Sequence, residues 1–299
     1  MKLFQYPFLA MASECALLLY AETEAQAEQA ADAAIAEVWR IEKNYSRYLD
    51  DNLLAAINRA AAEGASIELD AETAALVEYA GACYRMSDGL FDVTSGILRE
   101  AWDFSAGAAP TQQEIDMLLP RIGFDKLSWQ SPQLGFGVAG MELDFGGIGK
   151  EYAVDRAADI CMAQGIVSGL LEFGGDIRVL GPHPDGTPWQ VGIRHPRSDD
   201  AAIGVVRVSS GALATSGDYE RFLKLDGQRY SHILDPHTGW PVPGLTSVSV
   251  LGSQCMVAGS LATIAMLKGG AGPNWLEQLG TVHCWVDSEM RSGGNLQFD

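Results

Sequence analysis

Hydrophobic and polar positions near the start of the chain follow first the pattern of strands and then that of a helix. Two short apolar runs lie between Phe4 and Tyr20, with Met11-Ala12-Ser13 between them, and predict an opening pair of strands. From Thr23 to about Tyr45, apolar residues recur three or four positions apart, which is the period of an amphipathic helix. Thr23, followed by Gln26, has the spacing of a capping box at the helix start.

The same analysis predicts further helices and strands in the middle of the chain. The predicted helices are Leu53–Ala62, Ala71–Ser87, Thr111–Leu119 and Glu151–Gln164, and the predicted strands are Lys126–Trp129, Gly137–Asp144 and Leu170–Phe173. Gly165 directly follows the last of these helices, where a glycine favours helix termination.

The final third of the chain is mostly β in pattern. Its predicted strands are Gln190–Arg194, Val205–Val208, Arg221–Leu225, Gln228–Ile233, Thr246–Leu251 and Thr281–Val286, and its predicted helices are Met256–Leu267 and Trp275–Leu279. Asp226-Gly227 between two strand patterns is a strong hairpin signal. Helices early and strands late predict an α+β fold, with a mostly antiparallel sheet core and helices, in a single domain over residues 1–299.

Composition restricts the class of ligand. The chain has 299 residues, 47% of them hydrophobic, with a formal net charge of −19. A surface this acidic repels nucleic acid and anionic membranes, so neither is expected as a partner. Any phosphate-binding site must therefore be local, built from backbone amides, a lysine and a metal ion.

Cysteine usage and the N-terminal segment indicate the compartment. The five cysteines are scattered without a C-x-x-C pair, which favours buried free thiols over a disulfide framework. No window is apolar for long enough to form a membrane helix, so no membrane insertion is expected. The first residues make a poor signal peptide, and Glu14 before Cys15 makes a poor lipobox. These features predict a cytoplasmic protein, with a periplasmic location as the alternative.

A glycine-rich turn, Asp144–Lys150, joins a predicted strand to a predicted helix. Its three glycines let backbone approach a ligand without Cβ clashes. The helix that follows directs its first N–H groups at the turn, which suits an anionic ligand. Lys150 is placed to meet a phosphate, and Asp144 to accept a hydrogen bond from a base or ribose. The alternative from this segment alone is a tight turn with a surface lysine.

Two familiar nucleotide-binding loops are excluded at this turn. A Walker A loop requires glycine where the chain has Asp144, and serine or threonine where it has Glu151. A dinucleotide-binding fingerprint starting at Gly147 requires glycine where the chain has Tyr152.

The turn resembles a motif of the ApbE family, the FAD:protein FMN transferases. The family pattern D-x-x-x-I-x-K-G-x-A-V-D runs here from Asp144 to Asp155. Glu151 stands in place of the family's glycine directly after the lysine. Further blocks of the family occur before and after this turn, in the order that the family has them, along nearly the whole chain: Phe91–Gly96, Gly174–Asp176, Ala214–Tyr219, Tyr230–Gly239 and Leu261–Thr263. The run Tyr230–Pro236, Y-S-H-I-L-D-P, is the most specific of them.

The resemblance implies a fold, a reaction and a set of partners. The implied fold is ApbE-like (T-fold-like), and the implied reaction transfers FMN from FAD to a threonine of a flavin-acceptor protein, releasing AMP with the help of Mg²⁺. Phosphoryl transfer of this kind needs neutralisation of the pyrophosphate charge and a group that takes the hydroxyl proton.

The resemblance also implies which residues bind the flavin nucleotide. They are Met11, Tyr48, Leu90, Phe91, Asp92, Asp144, Lys150 and Ile233. Other roles remain open for several of them: Met11 as a core residue, Tyr48 as a rim residue, Asp92 as a helix cap, and Lys150 as a solvated lysine.

For the metal, the resemblance implies the carbonyl of Gly147 and the hydroxyl of Thr263 as ligands. The family's metal-binding aspartate aligns with Gly259, which has no side chain. Asp176, Asp218 and Asp235 are possible substitutes in space. Two alternatives to the transferase therefore follow from Gly259: a non-catalytic FAD-binding protein and an FAD pyrophosphatase.

His232 is the candidate for proton transfer. It stands in the most specific block, and an imidazole exchanges protons near neutral pH. The alternative is a histidine that hydrogen-bonds a backbone carbonyl where a strand meets a turn.

Overall fold

A computed structural model describes residues 1–104, 107–198, 201–225 and 227–299. The helices of this described part are α1 (Glu24–Tyr45), α2 (Leu53–Glu63), α3 (Ala71–Met86), α4 (Gln112–Leu118), α5 (Gly149–Ala163), α6 (Cys255–Leu267) and α7 (Gly272–Gln278). Its strands are β1 (Lys2–Ala10), β2 (Ser13–Ala21), β3 (Ser66–Glu68), β4 (Leu127–Gln130), β5 (Gln133–Phe136), β6 (Gly169–Phe173), β7 (Asp176–Gly181), β8 (Trp189–Arg194), β9 (Ala202–Val208), β10 (Gly211–Gly217), β11 (Phe222–Leu225), β12 (Gln228–Ser231), β13 (Leu245–Gly252), β14 (Val282–Asp287) and β15 (Ser292–Gly294).

One large sheet organises the molecule. It has eight strands in the order β1-β2-β6-β7-β10-β13-β14-β15, and every neighbouring pair is antiparallel. The smaller sheets are β3-β5-β4, β8-β9 and β11-β12. The predicted α+β class with a mostly antiparallel core is therefore confirmed.

The large sheet is covered on both faces, and this explains why its strands are apolar on both sides. Leu17 and Leu19 of β2 lie in the main core beneath α1, α5 and α6. Leu18 and Tyr20 face a second core under the hairpin β8–β9, which contributes Trp189. A third cluster, around Trp102, lies beneath α4 and β11–β12.

Most predicted element positions agree with the structure, but one predicted strand is wrong. Residues 137–140 form bends and a turn, and residues 141–144 have no regular secondary structure and join no sheet. Gly140 takes a positive φ of 81°, which interrupts regular strand geometry. The side chain of Asn58 then replaces a neighbouring strand, because its amide bonds both the N–H and the carbonyl of Leu143, at 2.8 and 3.0 Å.

Several local predictions are confirmed in detail. Gly165, the predicted terminator of α5, has a φ of 85°, and α4 begins at the predicted helix start, where Thr111 and Glu114 form a full capping box. Thr23 caps α1, but Gln26 bonds the N–H of Glu22 instead of completing the box. The hairpin β11–β12 forms as predicted, although Asp226 of its turn lies outside the described residues.

The five cysteines are free and buried, as predicted. Among the described helices, none combines the length and the apolar character needed to cross a membrane.

Candidate functional site

The glycine turn is anchored by two buried side chains and shaped by Asp144. Phe145 and Ile148 are 1% and 0% exposed, and they fix the turn to the main core. Asp144 accepts a hydrogen bond from the N–H of Gly146 at 2.8 Å, and helix α5 then begins at Gly149 without a side-chain cap. The ring of Phe91 lies against Gly147, where a Cβ would be only 3.1 Å from it. The turn and the predicted flavin-binding residue Phe91 therefore form one surface.

Lys150 extends from this turn to the start of β7. Its Nζ lies 2.5 Å from Oδ2 of Asp176 and 3.3 Å from the carbonyl of Phe173. Burial alone lowers the pKa of Lys150, but the charges of Asp176 and Glu151 outweigh burial, so the pKa is raised and the ammonium stays charged. The predicted phosphate-binding cation thus has a fixed position, in an ion pair that the sequence analysis did not foresee.

A chain of polar contacts links Asp144 to the histidine block. Arg47, directly after α1, forms an ion pair with Asp144 and donates to the hydroxyl of Tyr48 at 3.2 Å. Arg221 donates to the same hydroxyl at 3.4 Å. The carbonyl of Arg221 in turn accepts from Nδ1 of His232 at 3.1 Å. Three predicted site residues, Asp144, Tyr48 and His232, are therefore brought together through two arginines.

His232 is held in one tautomer by this contact. A carbonyl can only accept, so Nδ1 carries the proton and Nε2 is left with its lone pair. The backbone N–H of His232 bonds the same carbonyl at 3.1 Å, which fixes the residue at the junction of β12 and the following turn. Desolvation, together with the charges of Arg221 and Arg47, lowers the pKa of His232 below its ordinary value of 6.5. The imidazole is therefore a neutral base at neutral pH.

The remaining predicted flavin residues have mixed environments. Phe91 and Ile233 are buried, and Leu90 and Met11 are half-buried against the main core. Asp92 accepts from the N–H and hydroxyl of Thr94 and from the N–H of Phe124, at 2.8, 2.7 and 3.0 Å. These bonds give Asp92 a structural role at the start of its block, and its contact with flavin stays a prediction.

Met11 stands in a strained turn between β1 and β2. Met11 and Ala12 have φ values of 53° and 56°, the left-handed region that favours glycine. The N–H of Met11 donates to Oε1 of Glu42 at 2.7 Å, which ties the turn to α1.

Helix α6 presents the predicted metal ligand Thr263. Asp155, the last residue of the family's turn motif, accepts from the N–H groups of Cys255 and Met256 at 2.9 Å each. It thereby caps the N-terminus of α6 and joins α5 to α6. Thr263 is half-buried one helical turn after Gly259, on the same face of α6.

Glu151 is a further site residue, and it lies against Gly259. A Cβ built on Gly259 would be 2.6 Å from Cγ of Glu151. Glu151 is 9% exposed, and its Oε2 has no hydrogen-bond partner in the described part of the chain. Burial, and next the charge of Asp176, raise the pKa of Glu151 to about 8. The orphaned oxygen fits a cation ligand. Glu151 and Gly259 were noted from the sequence as two separate departures from the family pattern, and they were not connected there as a contact.

The three acidic residues considered as substitutes for the missing aspartate have other partners. Asp176 pairs with Lys150, and Asp218 forms two bonds with Arg197 at 2.6 and 2.7 Å. Asp235 accepts from the N–H of His237 at 2.8 Å, as in an Asx-turn.

Two surface clefts lie apart from these residues. One, of about 450 Å³, is lined by residues such as Glu72 and Tyr152, and the other, of about 550 Å³, is lined by residues such as His183 and Trp189. Neither is lined by a predicted flavin or metal ligand. The candidate site is therefore defined by its chemistry and by how its elements converge.

Comparison with known proteins identifies relatives of this chain. The FAD:protein FMN transferase of Vibrio cholerae is 36% identical over 190 residues, 62% of this chain and 57% of that protein. The FAD:protein FMN transferase of Rhodobacter capsulatus is 34% identical over 252 residues, 82% of this chain and 48% of that protein. The chain thus spans about half the length of these curated relatives.

The structural match extends over almost the whole length of both chains. The crystal structure of the ApbE protein from Thermotoga maritima superposes with a TM-score of 0.89 at 30% identity, over 98% of this chain and 97% of that one. Residues 11–286 match the sequence profile of the ApbE family. The chain therefore belongs to the ApbE family.

Proposed function

We propose that this chain is an FAD:protein FMN transferase that moves FMN from FAD to a threonine hydroxyl of a flavin-acceptor protein and releases AMP. The observation that carries the proposal is the environment of His232: Nδ1 is engaged by the carbonyl of Arg221, and Nε2 is available as a base. Relatives that carry this activity by name share the family.

In the proposed reaction, the threonine oxygen forms a bond to the phosphorus of the FMN half of FAD. The bond from that phosphorus to the bridging oxygen breaks, and AMP leaves with the bridging oxygen and its electron pair. Nε2 of His232 takes the proton of the threonine hydroxyl. Removal of this proton makes the oxygen a better nucleophile as the new bond forms.

Other residues of this chain position FAD and offset its charge. Lys150 places a fixed ammonium at the start of α5, where it counters the charge of the pyrophosphate. Asp144, oriented by Arg47, accepts a hydrogen bond from the nucleotide. Phe91 and Leu90 supply apolar surface for the flavin ring. Tyr48, whose side chain is exposed, supplies a further contact at the rim.

Magnesium belongs to the proposal as well. Mg²⁺, when bound, neutralises charge on the pyrophosphate and polarises the bond that breaks. The carbonyl of Gly147 and the hydroxyl of Thr263 would hold it, since oxygen ligands of this kind suit Mg²⁺.

The test uses purified protein, FAD, MgCl₂ and a flavin-accepting domain of a redox protein. Flavin fluorescence on the acceptor band of a denaturing gel is the expected result, and changing the target threonine of the acceptor to valine should abolish it. His232→Asn, which keeps a donor near the Arg221 carbonyl, should bind FAD normally and lose transfer.

Two results would contradict the proposal. Bound FAD without any labelled acceptor would indicate a non-catalytic FAD-binding protein. Release of AMP from FAD at the same rate with and without acceptor would indicate a pyrophosphatase.

A further inference from the structure

Glu151 has a buried carboxyl group with one oxygen that lacks a hydrogen-bond partner in the described part of the chain. It lies in the first turn of α5 and is 9% exposed, and within the described residues its Oε2 has no hydrogen-bond partner. Folded proteins pair nearly all such buried atoms, because an unpaired one costs free energy. The unpaired oxygen makes Glu151 a candidate ligand for a cation.

The side chain of Glu151 fills the space that a side chain at position 259 would require. A Cβ on Gly259 would meet Cγ of Glu151 at 2.6 Å, Oε1 at 3.0 Å and Cδ at 3.2 Å. Both residues differ from the family pattern, which has glycine where this chain has Glu151 and aspartate where it has Gly259. Relative to that pattern, the glycine and the acidic residue have exchanged positions, with glutamate in place of aspartate, and one carboxyl group remains between α5 and α6.

Two neutral oxygens lie one helical turn along the chain from this contact, one on α6 and one in the turn before α5. Thr263 shares the face of α6 on which Gly259 contacts Glu151. The carbonyl of Gly147 precedes the first turn of α5, four residues before Glu151. A carboxylate, a hydroxyl and a carbonyl together form the hard-oxygen set that Mg²⁺ and Mn²⁺ prefer.

We propose that Glu151 is the carboxylate ligand of a divalent cation in this chain, in place of an aspartate at position 259. The inference rests on the proposed function for what the cation does in the reaction, but the binding itself is measurable without an acceptor. In the described part of the chain, no three His, Cys, Asp or Glu side chains could hold a metal ion together. The site therefore depends on one carboxylate with neutral partners, and Glu151 is the residue whose loss should matter most.

The first experiment measures Mn²⁺ binding by the electron paramagnetic resonance signal of the free ion, for protein alone and for protein saturated with FAD, without acceptor. Glu151→Gln keeps the volume but cannot ionise, and it should weaken Mn²⁺ binding at least about tenfold. Glu142→Gln is the matched control: Glu142 is 8% exposed, but both its oxygens bond Arg99 at 2.9 and 3.0 Å. The control should bind Mn²⁺ as the natural protein does. Equal affinity of Glu151→Gln and the natural protein would overturn the proposal.

The second experiment tests the exchange itself. Gly259→Asp alone should lower the thermal midpoint, because its Cβ collides with Glu151. Glu151→Gly alone should fold and lose Mn²⁺ affinity. The double variant Glu151→Gly/Gly259→Asp should regain both the midpoint and the affinity. A folded double variant that binds Mn²⁺ no better than Glu151→Gly would contradict an exchange of ligands.

The outcomes separate this inference from the proposed function. Weaker Mn²⁺ binding by Glu151→Gln supports the inference even if the natural protein labels no acceptor. Unchanged Mn²⁺ binding, with unchanged labelling of the acceptor, rejects Glu151 as a ligand and leaves the transferase standing.

Discussion

The tautomer of His232 is decided by a backbone atom. The carbonyl of Arg221 accepts a hydrogen bond from Nδ1 at 3.1 Å. From the sequence, a histidine bonded to a carbonyl was treated as an alternative to a catalytic base. The two interpretations are compatible, because each uses a different ring nitrogen. The bond to the backbone orients the ring, and the ring nitrogen that remains is available for chemistry. Such orientation of a base by a second group is common in enzymes.

His232 leads to a prediction about pH. Desolvation and the charges of Arg221 and Arg47 lower its pKa below 6.5, and a base works in its neutral form above its pKa. The single-turnover rate of FMN transfer should therefore fall at acidic pH, with the midpoint of the fall below pH 6.5. Arg47→Gln removes one of the positive charges and should move this fall to higher pH. The exposed Arg85→Gln variant is the control and should leave it in place.

NMR titration of the His232 ring provides the independent measurement. A ring pKa at or above 6.5 in the natural protein would contradict the prediction.

The pair Lys150–Asp176 leads to a prediction about stability and affinity. Asp176 is 1% exposed, so Lys150→Ala leaves a buried carboxylate without its cation. We expect a loss of about 1–3 kcal/mol in the free energy of unfolding, measured by urea denaturation, and weaker FAD binding. Lys150→Met/Asp176→Asn removes both charges and should recover part of the stability but not the FAD affinity. If Lys150→Ala binds FAD as tightly as the natural protein does, Lys150 has no role at the phosphate.

At the scale of elements, helix α6 depends on α5 for its N-terminal cap. Asp155 accepts from two N–H groups of α6 at 2.9 Å each, so Asp155→Ala should cost about 1–2 kcal/mol in the free energy of unfolding. The same change should lower Mn²⁺ affinity, because α6 carries Thr263. Asp70→Ala removes the comparable cap of α3 at Thr73, and it should destabilise the protein without changing Mn²⁺ affinity. Equal effects of the two variants on Mn²⁺ binding would contradict this arrangement.

The sequence predicted most helices because their caps and apolar stripes are local signals. It missed β10, whose residues Ala212 and Ala214 are fully buried, because this strand has small residues where alternation would normally mark a strand. Those small residues let α6 pack closely on the sheet, a requirement that only the tertiary structure reveals. Residues 137–144 were predicted as a strand from their apolar pattern. That pattern does not reveal that the side chain of Asn58 takes the place of a neighbouring strand.

The site was predictable to the extent that short motifs carry it. His232, Lys150 and Asp144 lie in such blocks, and the structure links His232 and Asp144 through Tyr48 and two arginines. The ion pair of Lys150 and the contact between Glu151 and Gly259 join residues distant in the chain, so no local pattern contains them. The roles of the individual flavin and metal residues stay predictions.

At the scale of the whole molecule, the net charge of −19 opposes the approach of FAD, whose pyrophosphate is also negative. Lys150, Arg47 and Arg221 provide local positive charge within this negative field. We therefore expect the association rate of FAD, measured by stopped-flow fluorescence, to rise as NaCl increases from 10 to about 150 mM and screens the long-range repulsion. A rate that falls with salt would show that the local cations dominate the encounter.

The collision between Glu151 and any side chain at position 259 also makes the residue types at the two positions depend on each other. A change from glycine and aspartate to glutamate and glycine must pass through one of two intermediates. One carries both acidic side chains and is overpacked, and the other carries neither and loses its carboxylate. The two substitutions are therefore mutually dependent. Homologues that lack an acidic residue at position 259 should be compared at both positions together before they are classified as inactive.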